Sequence, residues 1–334
     1  MNKTILVLAG AAIAAMLTSG AYAADKKELA VVVKGLDNPF FTVLGSGCTD
    51  WNTAHPDSEY ICTYNGPALS SDEAGEVQLV QDLINKGVAG IAISPSNAPA
   101  MAKMLADTKP SMPIITIDAD LLPADAALRH TYFGTSNYDM GVGMAKGLMA
   151  LKPTGGTICL QLGNVAAANI NSRAAGLRDT LSGTKGIEML NSSGGWTEIA
   201  GCPLYTNDDI TTANQQLADT LLANPDLDAF VLVGGWAMFG AQAYRQTTDQ
   251  YMDRLKSGDL VIVAGDTVAE EPKLFMEGRS QFQIGQRPYQ MGNEASDILI
   301  KIIGGGTVED PMYTGLDLCT KADPGICKTL ADKM

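Results

Sequence analysis

Histidine is scarce in this sequence of 334 residues, which contains only His55 and His130. None of the six cysteines lies in a Cys-x-x-Cys pair, so the usual spacing of a structural zinc site is missing. No Gly-Lys-Ser/Thr phosphate loop occurs, and Gly141, Gly143 and Gly147 have the wrong spacing for a dinucleotide loop. We therefore expect neither a metal ion nor a cofactor.

Positive charge is also in short supply. The chain has 23 Lys and Arg residues against 37 Asp and Glu residues, a formal net charge of −14. Such a balance argues against nucleic acid and against anionic membrane surfaces as partners, because both attract basic proteins. It leaves a neutral ligand open.

No apolar run after the N-terminal segment is long enough to span a bilayer. Residues 1–23 contain one charge at Lys3, then an apolar run from Ile5 to Leu17, and they end in Ala21-Tyr22-Ala23. This pattern is typical of a secretory signal peptide. We expect cleavage before Ala24 and a soluble periplasmic product.

All six cysteines lie in the exported part, which suits an oxidising compartment. Six cysteines allow fifteen pairings, and buried free thiols are an alternative. The order along the chain favours three local pairs, Cys48 with Cys62, Cys159 with Cys202, and Cys319 with Cys327.

Strand and helix patterns alternate along the mature chain. About ten such units indicate an α/β fold with parallel sheets that are covered by helices on both faces. This number is too large for one compact sheet, so we predict two similar Rossmann-like lobes. In the second half, one of the predicted strands is Gly186 to Leu190.

The first strand contains the most informative stretch, Val31 to Phe41, with the sequence VVVKGLDNPFF. An unbroken apolar run with β-branched residues predicts a strand that is buried on both faces. Asn38 and Pro39 then predict the start of a helix. Asn38, Phe40 and Phe41 would therefore lie at the carboxyl end of a strand, where open α/β sheets bind ligands. Two aromatic rings beside polar groups suit a sugar.

Polar or aromatic residues also follow the other predicted strands. Each has a simpler interpretation by itself, as a helix cap, a surface charge or a cover for the core. Their position on the same side of the sheets favours a common site. The candidate ligand-binding residues are Lys34, Asn38, Phe40, Phe41, Ser94, Asp118, Arg173, Trp196, Trp236, Asp266 and Gln286.

With these motifs in this order, the mature chain resembles the type I periplasmic binding proteins of bacterial ABC sugar importers, of the ribose-, allose- and galactose-binding kind. The specific signs are Asn38-Pro39-Phe40-Phe41, Ile115-Thr116-Ile117-Asp118, Arg173 to Leu177, Trp196, Gly265-Asp266, and Gln286 before Pro288. The resemblance implies two lobes joined by a hinge of three strands. Carried over, the first lobe takes residues 24–134 plus 287–312, and the second takes 135–286 plus 313–334.

The resemblance also implies a monomer that holds its ligand between the lobes and delivers it to a membrane ABC permease. Ala119 stands where ribose binders commonly have arginine, and Gly234 or Gly235 stands where they commonly have asparagine. The ligand can therefore be another monosaccharide, a sugar alcohol or a cyclitol.

Three other roles are alternatives for such a chain. A subunit that presents its ligand to a chemotaxis or signalling sensor would use the same pocket. A lac-repressor-type regulator would need a helix-turn-helix in place of the signal segment. A glycosidase would need Asp118 and Asp266 as a catalytic pair. Binding explains both carboxylates without a raised pKa, so we expect a binding protein and not an enzyme.

Overall fold

The computed structural model describes residues 26–331, so the predicted signal peptide lies outside the described residues. Between these limits, no helix has the length and apolar character needed to cross a membrane. The strands are β1 (Lys27–Val32), β2 (Tyr60–Asn65), β3 (Gly90–Ile93), β4 (Ile114–Ile117), β5 (Tyr132–Gly134), β6 (Gly156–Leu162), β7 (Trp196–Glu198), β8 (Leu204–Tyr205), β9 (Ala229–Leu232), β10 (Val261–Gly265), β11 (Phe282–Gly285), β12 (Met312–Tyr313) and β13 (Asp317–Thr320).

The helices alternate with these strands for most of the chain. They are α1 (Pro39–Ala54), α2 (Glu73–Lys86), α3 (Ala98–Thr108), α4 (Asn137–Leu151), α5 (Ala168–Ser182), α6 (Ile210–Ala223), α7 (Trp236–Phe239), α8 (Ala241–Asp249), α9 (Met252–Ser257), α10 (Glu271–Met276), α11 (Pro288–Ile303) and α12 (Gly325–Ala331), with a 3₁₀ helix at Pro123–Leu128.

The strands form two sheets, and this confirms the predicted α/β fold with two lobes. The first sheet has the order β12-β5-β4-β3-β1-β2, and its strands are all parallel. The second has the order β13-β11-β10-β9-β6-β7, with β8 also paired to β6. Among the strands of residues 26–331, only β13 runs antiparallel to its neighbour, β11. The strand order reverses at β1 in the first sheet and at β6 in the second. Ligands of open α/β sheets bind at such points.

The chain crosses between the sheets three times, at residues 134–137, 285–288 and 313–317. Helix α4 packs on strands β10 and β11 of the second sheet, whereas α11 packs on α1 of the first. The last crossing corrects one predicted bound: the second lobe is predicted to resume at residue 313, whereas Tyr313 still pairs with Gly134 in the first sheet.

Alternating side chains of β1 supply two separate cores in the first lobe. Leu29 and Val31 pack on the face covered by α1 and α11, and Ala30 and Val32 pack on the opposite face with α2 and α3. Burial on both faces explains the continuous apolar run of β1. The strand is therefore fixed from both sides, and its carboxyl end has a defined position.

The six cysteines, all within the described residues, form the three pairs that their order along the chain favours. The bonds are Cys48–Cys62, Cys159–Cys202 and Cys319–Cys327, with sequence separations of 14, 43 and 8 residues.

The predicted strand Gly186 to Leu190 is wrong. This stretch is irregular, and the edge strand β7 begins only at Trp196, after a turn at Gly194 and Gly195 with φ of 59° and 83°. Left-handed backbone at two successive residues is readily adopted by glycine, so the turn rather than the preceding run sets where the strand begins.

Candidate functional site

A cavity of about 30 Å³ lies between the lobes, at the carboxyl ends of the central strands. It brings together nine of the eleven predicted site residues. From the first lobe and the hinge these are Lys34, Asn38, Phe40, Phe41, Asp118 and Gln286, and from the second lobe Arg173, Trp236 and Asp266. The remaining lining residues are Asn169, Ile170, Asp208, Gly235 and Phe239.

The start of helix α1 places two aromatic rings in the cavity. The side-chain oxygen of Asn38 accepts a hydrogen bond from the backbone N–H of Phe40 at 2.9 Å, and Pro39 follows as the first helical residue. This cap leaves the amide N–H groups of Asn38 for a ligand. Phe40 and Phe41 meet edge to face, with ring centroids 5.2 Å apart. The first lobe thus contributes an apolar wall with an amide at its edge.

Three carboxylates line the cavity, and all three have left-handed backbone. The φ angles of Asp118, Asp208 and Asp266 are 59°, 62° and 77°. Non-glycine residues seldom adopt this conformation, and such residues cluster at functional sites. Here the turn ends each strand or loop abruptly and directs a short acidic side chain into the cavity.

In each carboxylate one oxygen is bound by a neighbouring protein group. The Ser94 hydroxyl donates to Asp118 Oδ2 at 2.7 Å. The Gln286 amide donates to Asp266 Oδ1 at 2.8 Å, and the backbone N–H of Asn164 donates to Asp208 Oδ1 at 3.1 Å. Each carboxylate is thereby oriented while its second oxygen can accept from ligand hydroxyls.

Burial raises the pKa of both Asp208 and Asp266 above the ordinary range of aspartate. Lys34 and Arg173 oppose this effect at Asp208, and Arg173 together with the amide of Gln286 opposes it at Asp266. The cationic groups thus favour the charged carboxylates that hydroxyl donors need.

Three buried polar atoms at the cavity have no hydrogen-bond partner within residues 26–331: Nη2 of Arg173, Nε1 of Trp236 and Oε1 of Gln286. An unpaired buried polar group costs about 1–3 kcal/mol. Two donors and one acceptor on residues that line the same cavity therefore favour a ligand that carries both kinds of group, as a polyhydroxyl compound does.

The indole of Trp236 lies against two glycines. A Cβ atom at Gly163 would be 2.5 Å from its Cη2 atom, and a Cβ atom at Gly234 would be 2.6 Å from the same atom. A larger residue at either position would displace this ring, which lines the cavity. Gly163 and Gly234 thus allow a bulky aromatic residue in the wall of the site.

The lobes contact each other around the cavity. Lys34 Nζ donates to Asn169 Oδ1 at 3.2 Å, and the side-chain amide of Asn164 donates to Glu73. The ring of Phe239 packs against the apolar cores of both lobes. These contacts describe a closed arrangement in which the cavity is surrounded on several sides.

Two predicted site residues lie elsewhere. Ser94 is fully buried and acts behind Asp118 through the hydrogen bond described above. Trp196 requires a correction, because it pairs with Gly156 at the amino end of β6, whereas the cavity lies at the carboxyl ends. It packs in the core of the second lobe.

Sequence reasoning missed four side chains that line the cavity. Asp208 follows the two-residue strand β8, which is too short to be recognised from a pattern. Asn169 and Ile170 lie in the first turn of α5, and Phe239 lies in the apolar run Trp236–Phe239, which is typical of a core segment. The only sequence signal for the left-handed conformation of Asp208 is the stretch Asn207-Asp208-Asp209, whose residue types are common in loops.

Glu76 is a further buried acid, outside the cavity but close to the lobe contact. Its Oε2 accepts from the backbone N–H of Ser96 at 2.8 Å, and its side chain is fully buried in α2. Burial raises its pKa to about 7, against the opposing effects of Ser96 and the Lys34 charge. Glu76 therefore binds its proton in the folded state at a pH where the unfolded chain has released it.

We expect stability to fall as the pH rises from about 4.5 to about 7, because the folded state holds the extra proton in this window. Below it both states are protonated and the contribution is fully present. Glu76→Gln removes this titration. Between pH 4.5 and 7 the free energy of unfolding of the parent should therefore fall by roughly 3 kcal/mol relative to that of the variant.

Urea unfolding at several pH values measures this difference. Asp82→Asn changes an exposed acid of the same helix and serves as the control. A constant difference between Glu76→Gln and the parent from pH 4.5 to 7 would contradict the assignment.

Within residues 26–331, no group of three or more His, Cys, Asp or Glu side chains is arranged to hold a metal ion. The chemistry of the cavity is that of hydrogen bonding, charge and apolar packing. Its mixture of carboxylates, cationic groups and aromatic rings suits a small neutral polar ligand.

The family model described as "Periplasmic binding protein domain" matches residues 29–307. The D-allose-binding periplasmic protein of Escherichia coli is 24% identical over 316 residues, 92% of this chain and 94% of that protein. The ribose import binding protein RbsB of Salmonella typhimurium is 25% identical over 327 residues, 96% of this chain and all of that protein.

Solved structures agree with the fold. An ABC transporter solute-binding protein from Agrobacterium vitis with bound D-fucose has a TM-score of 0.79 at 24% identity, covering 92% of this chain and 99% of that chain. A solute-binding protein from Burkholderia graminis in complex with D-arabinose has a TM-score of 0.73 at 26% identity, covering 89% of this chain and 96% of that chain.

Proposed function

Because the chain belongs to the periplasmic binding protein domain family, we propose that it captures a monosaccharide, a sugar alcohol or a cyclitol between its lobes. It then delivers this solute to the membrane permease of an ABC transporter. The observation that carries the proposal is the cavity itself, where three carboxylates, two cationic side chains and aromatic rings meet from both lobes.

Each class of side chain has a role in this proposal. The rings of Phe40, Phe41 and Trp236 pack on the C–H faces of the solute. Asp118, Asp208 and Asp266 accept from its hydroxyls, and Arg173 donates in a fixed geometry. A few charge-assisted hydrogen bonds of roughly 1.5–3 kcal/mol each can support micromolar affinity, about −8 kcal/mol.

The small cavity also supports a hinge mechanism. Side chains from both lobes enclose it, and the Lys34–Asn169 hydrogen bond joins the lobes at its rim. The solute therefore enters when the lobes separate at the three crossings. Only the closed form makes contacts from both lobes, so binding shifts the population toward closure.

The proposed role is binding without chemical change. The oriented carboxylates act as hydrogen-bond acceptors, and no covalent step is needed to explain them. The names of the curated relatives support a periplasmic location, and we propose the same compartment for this monomeric chain.

A thermal-shift panel tests the proposal directly. It contains D-ribose, D-allose, D-fucose, D-arabinose, xylitol, mannitol and myo-inositol at millimolar concentration. A compound at about 100 times its Kd adds roughly 2.7 kcal/mol of stability, which raises Tm by several degrees in a domain of ordinary size. We expect at least one such shift, with Arg173→Met as the control that loses it. A panel without any shift would contradict the proposal.

A further inference from the structure

The guanidinium of Arg173 is held by a residue that does not line the cavity. Its Nε donates to Asn137 Oδ1 at 2.8 Å, and its Nη1 donates to the backbone carbonyl of Val233 at 3.2 Å. The Arg173 side chain is 2% exposed, so solvent offers few alternative partners. With Nε and Nη1 bound by these two contacts, Nη2 is left as the atom for a ligand.

Asn137 is in turn bound to the first lobe. Its amide nitrogen lies 3.3 Å from the backbone carbonyl oxygen of Asp118, 3.2 Å from that of Thr135 and 3.1 Å from the Tyr132 hydroxyl oxygen. The Tyr132 hydroxyl lies within hydrogen-bond distance of the same two carbonyls, at 2.8 and 2.7 Å. Two amide hydrogens and one hydroxyl hydrogen thus satisfy this buried group of oxygens.

The local backbone makes this arrangement possible. The crossing from β5 to α4 turns around the Tyr132 hydroxyl, and a Cβ atom at Gly134 would be only 2.6 Å from that oxygen. Asp118 has left-handed backbone, with a φ of 59°. Its carbonyl accepts from the Tyr132 hydroxyl at the crossing, while its carboxylate lines the cavity and accepts from Ser94 behind it. The two sides of Asp118 therefore connect the hinge with the site.

We propose that Asn137 is a positioning residue, which orients Arg173 for the ligand and fixes this orientation to the first lobe. The proposal rests on the function proposed above. The side-chain oxygen of Asn137 accepts from Arg173 of the second lobe, and its side-chain nitrogen donates to the backbone carbonyl of Asp118 in the first lobe. Separation of the lobes would strain this connection, so the direction of the Arg173 donor depends on closure.

A merely structural role would also explain an asparagine at the first residue of a helix. The two roles differ in what they predict for Arg173. A capping role would use Oδ1 as acceptor for a backbone N–H, but the N-cap is Ser136 and Oδ1 of Asn137 accepts from Arg173 instead. A hinge role rests on the amide N–H donors, whereas the positioning role needs the acceptor at Oδ1. Asn137→Asp keeps the acceptor and removes the donors, and Asn137→Leu removes both with a similar volume.

Hydrogen exchange of the Arg173 Nε–H group, followed by ¹⁵N NMR in the protein without sugar, tests the proposal. Arg173→Lys lacks the signal and assigns it. We expect slow exchange in the parent and at least tenfold faster exchange in Asn137→Leu. In Asn137→Asp the exchange should stay within about threefold of the parent. If Asn137→Leu does not keep the backbone spectrum of the folded protein, Asn137→Ala replaces it.

Equal exchange in the parent and Asn137→Leu would overturn the positioning role, and so would equally fast exchange in Asn137→Asp and Asn137→Leu. These outcomes do not depend on a sugar. Failure of the sugar panel would refute the proposed function and leave the exchange result unaffected, so the two failures are distinguishable.

Discussion

Replacing Asp266 by alanine is expected to lower the affinity for the panel sugar by at least about tenfold, or about 1.4 kcal/mol. Asp266 is 5% exposed, and its carboxylate holds the Gln286 amide at 2.8 Å. Without the Asp266 carboxylate, hydroxyls of the bound sugar and the amide of Gln286 are left buried and unpaired. A buried polar group that loses its partner costs its full desolvation free energy. Arg173→Ala should have an effect of similar size.

Calorimetric titration of both variants with the sugar that gives the largest thermal shift measures this loss. Asp253→Ala, which removes an exposed acid at the start of α9 in the same lobe, is the matched control. It should bind like the parent. If Asp266→Ala and Arg173→Ala also bind like the parent, the pocket lies elsewhere and the assignment of the residues is wrong.

Gly163→Ala is expected to abolish binding at concentrations where the parent is saturated. Its Cβ atom would be 2.1 Å from Asp208 Oδ1 and 2.5 Å from the indole of Trp236. Both groups line the cavity, so displacing them changes the wall that the ligand contacts. Overpacking of this kind also lowers stability, typically by about 1–3 kcal/mol.

Gly304→Ala separates this effect from a general cost of replacing glycine. A Cβ atom at Gly304 would have its nearest neighbours at 3.5 and 3.6 Å, which is ordinary contact, and its φ is −75°. We expect unchanged affinity for this control. Binding by Gly163→Ala within threefold of the parent would contradict the packing described for Trp236.

The parts of the site that could be predicted from sequence are those at the ends of long buried strands. Asn38 follows β1. Its position is predicted by local signals: the apolar run of the strand, the asparagine as a helix cap and the proline after it. Asp118 and Asp266 each follow an apolar strand directly. In these cases the strand is fixed by burial on both faces, so its end locates the side chain.

The residues that could not be predicted depend on tertiary structure. Asp208 reaches the cavity from a loop after a two-residue strand, and neither feature has a recognisable period. The run before Trp196 has the composition of a strand, but the two-glycine turn at Gly194 and Gly195 makes Trp196 itself the start of β7 and places it away from the cavity. Asn137 does not touch the cavity, and its role follows only from the contacts made across the hinge.

The central claim is that a sugar binds between the two lobes. A crystal structure of the protein grown with the sugar that gives the largest thermal shift tests it most directly. We predict the sugar in the cavity, with its hydroxyls bound by Asp118, Asp208, Asp266 and Arg173 and its C–H faces on the aromatic rings. A sugar bound on the surface of one lobe, with the cavity between the lobes unaltered, would contradict the account.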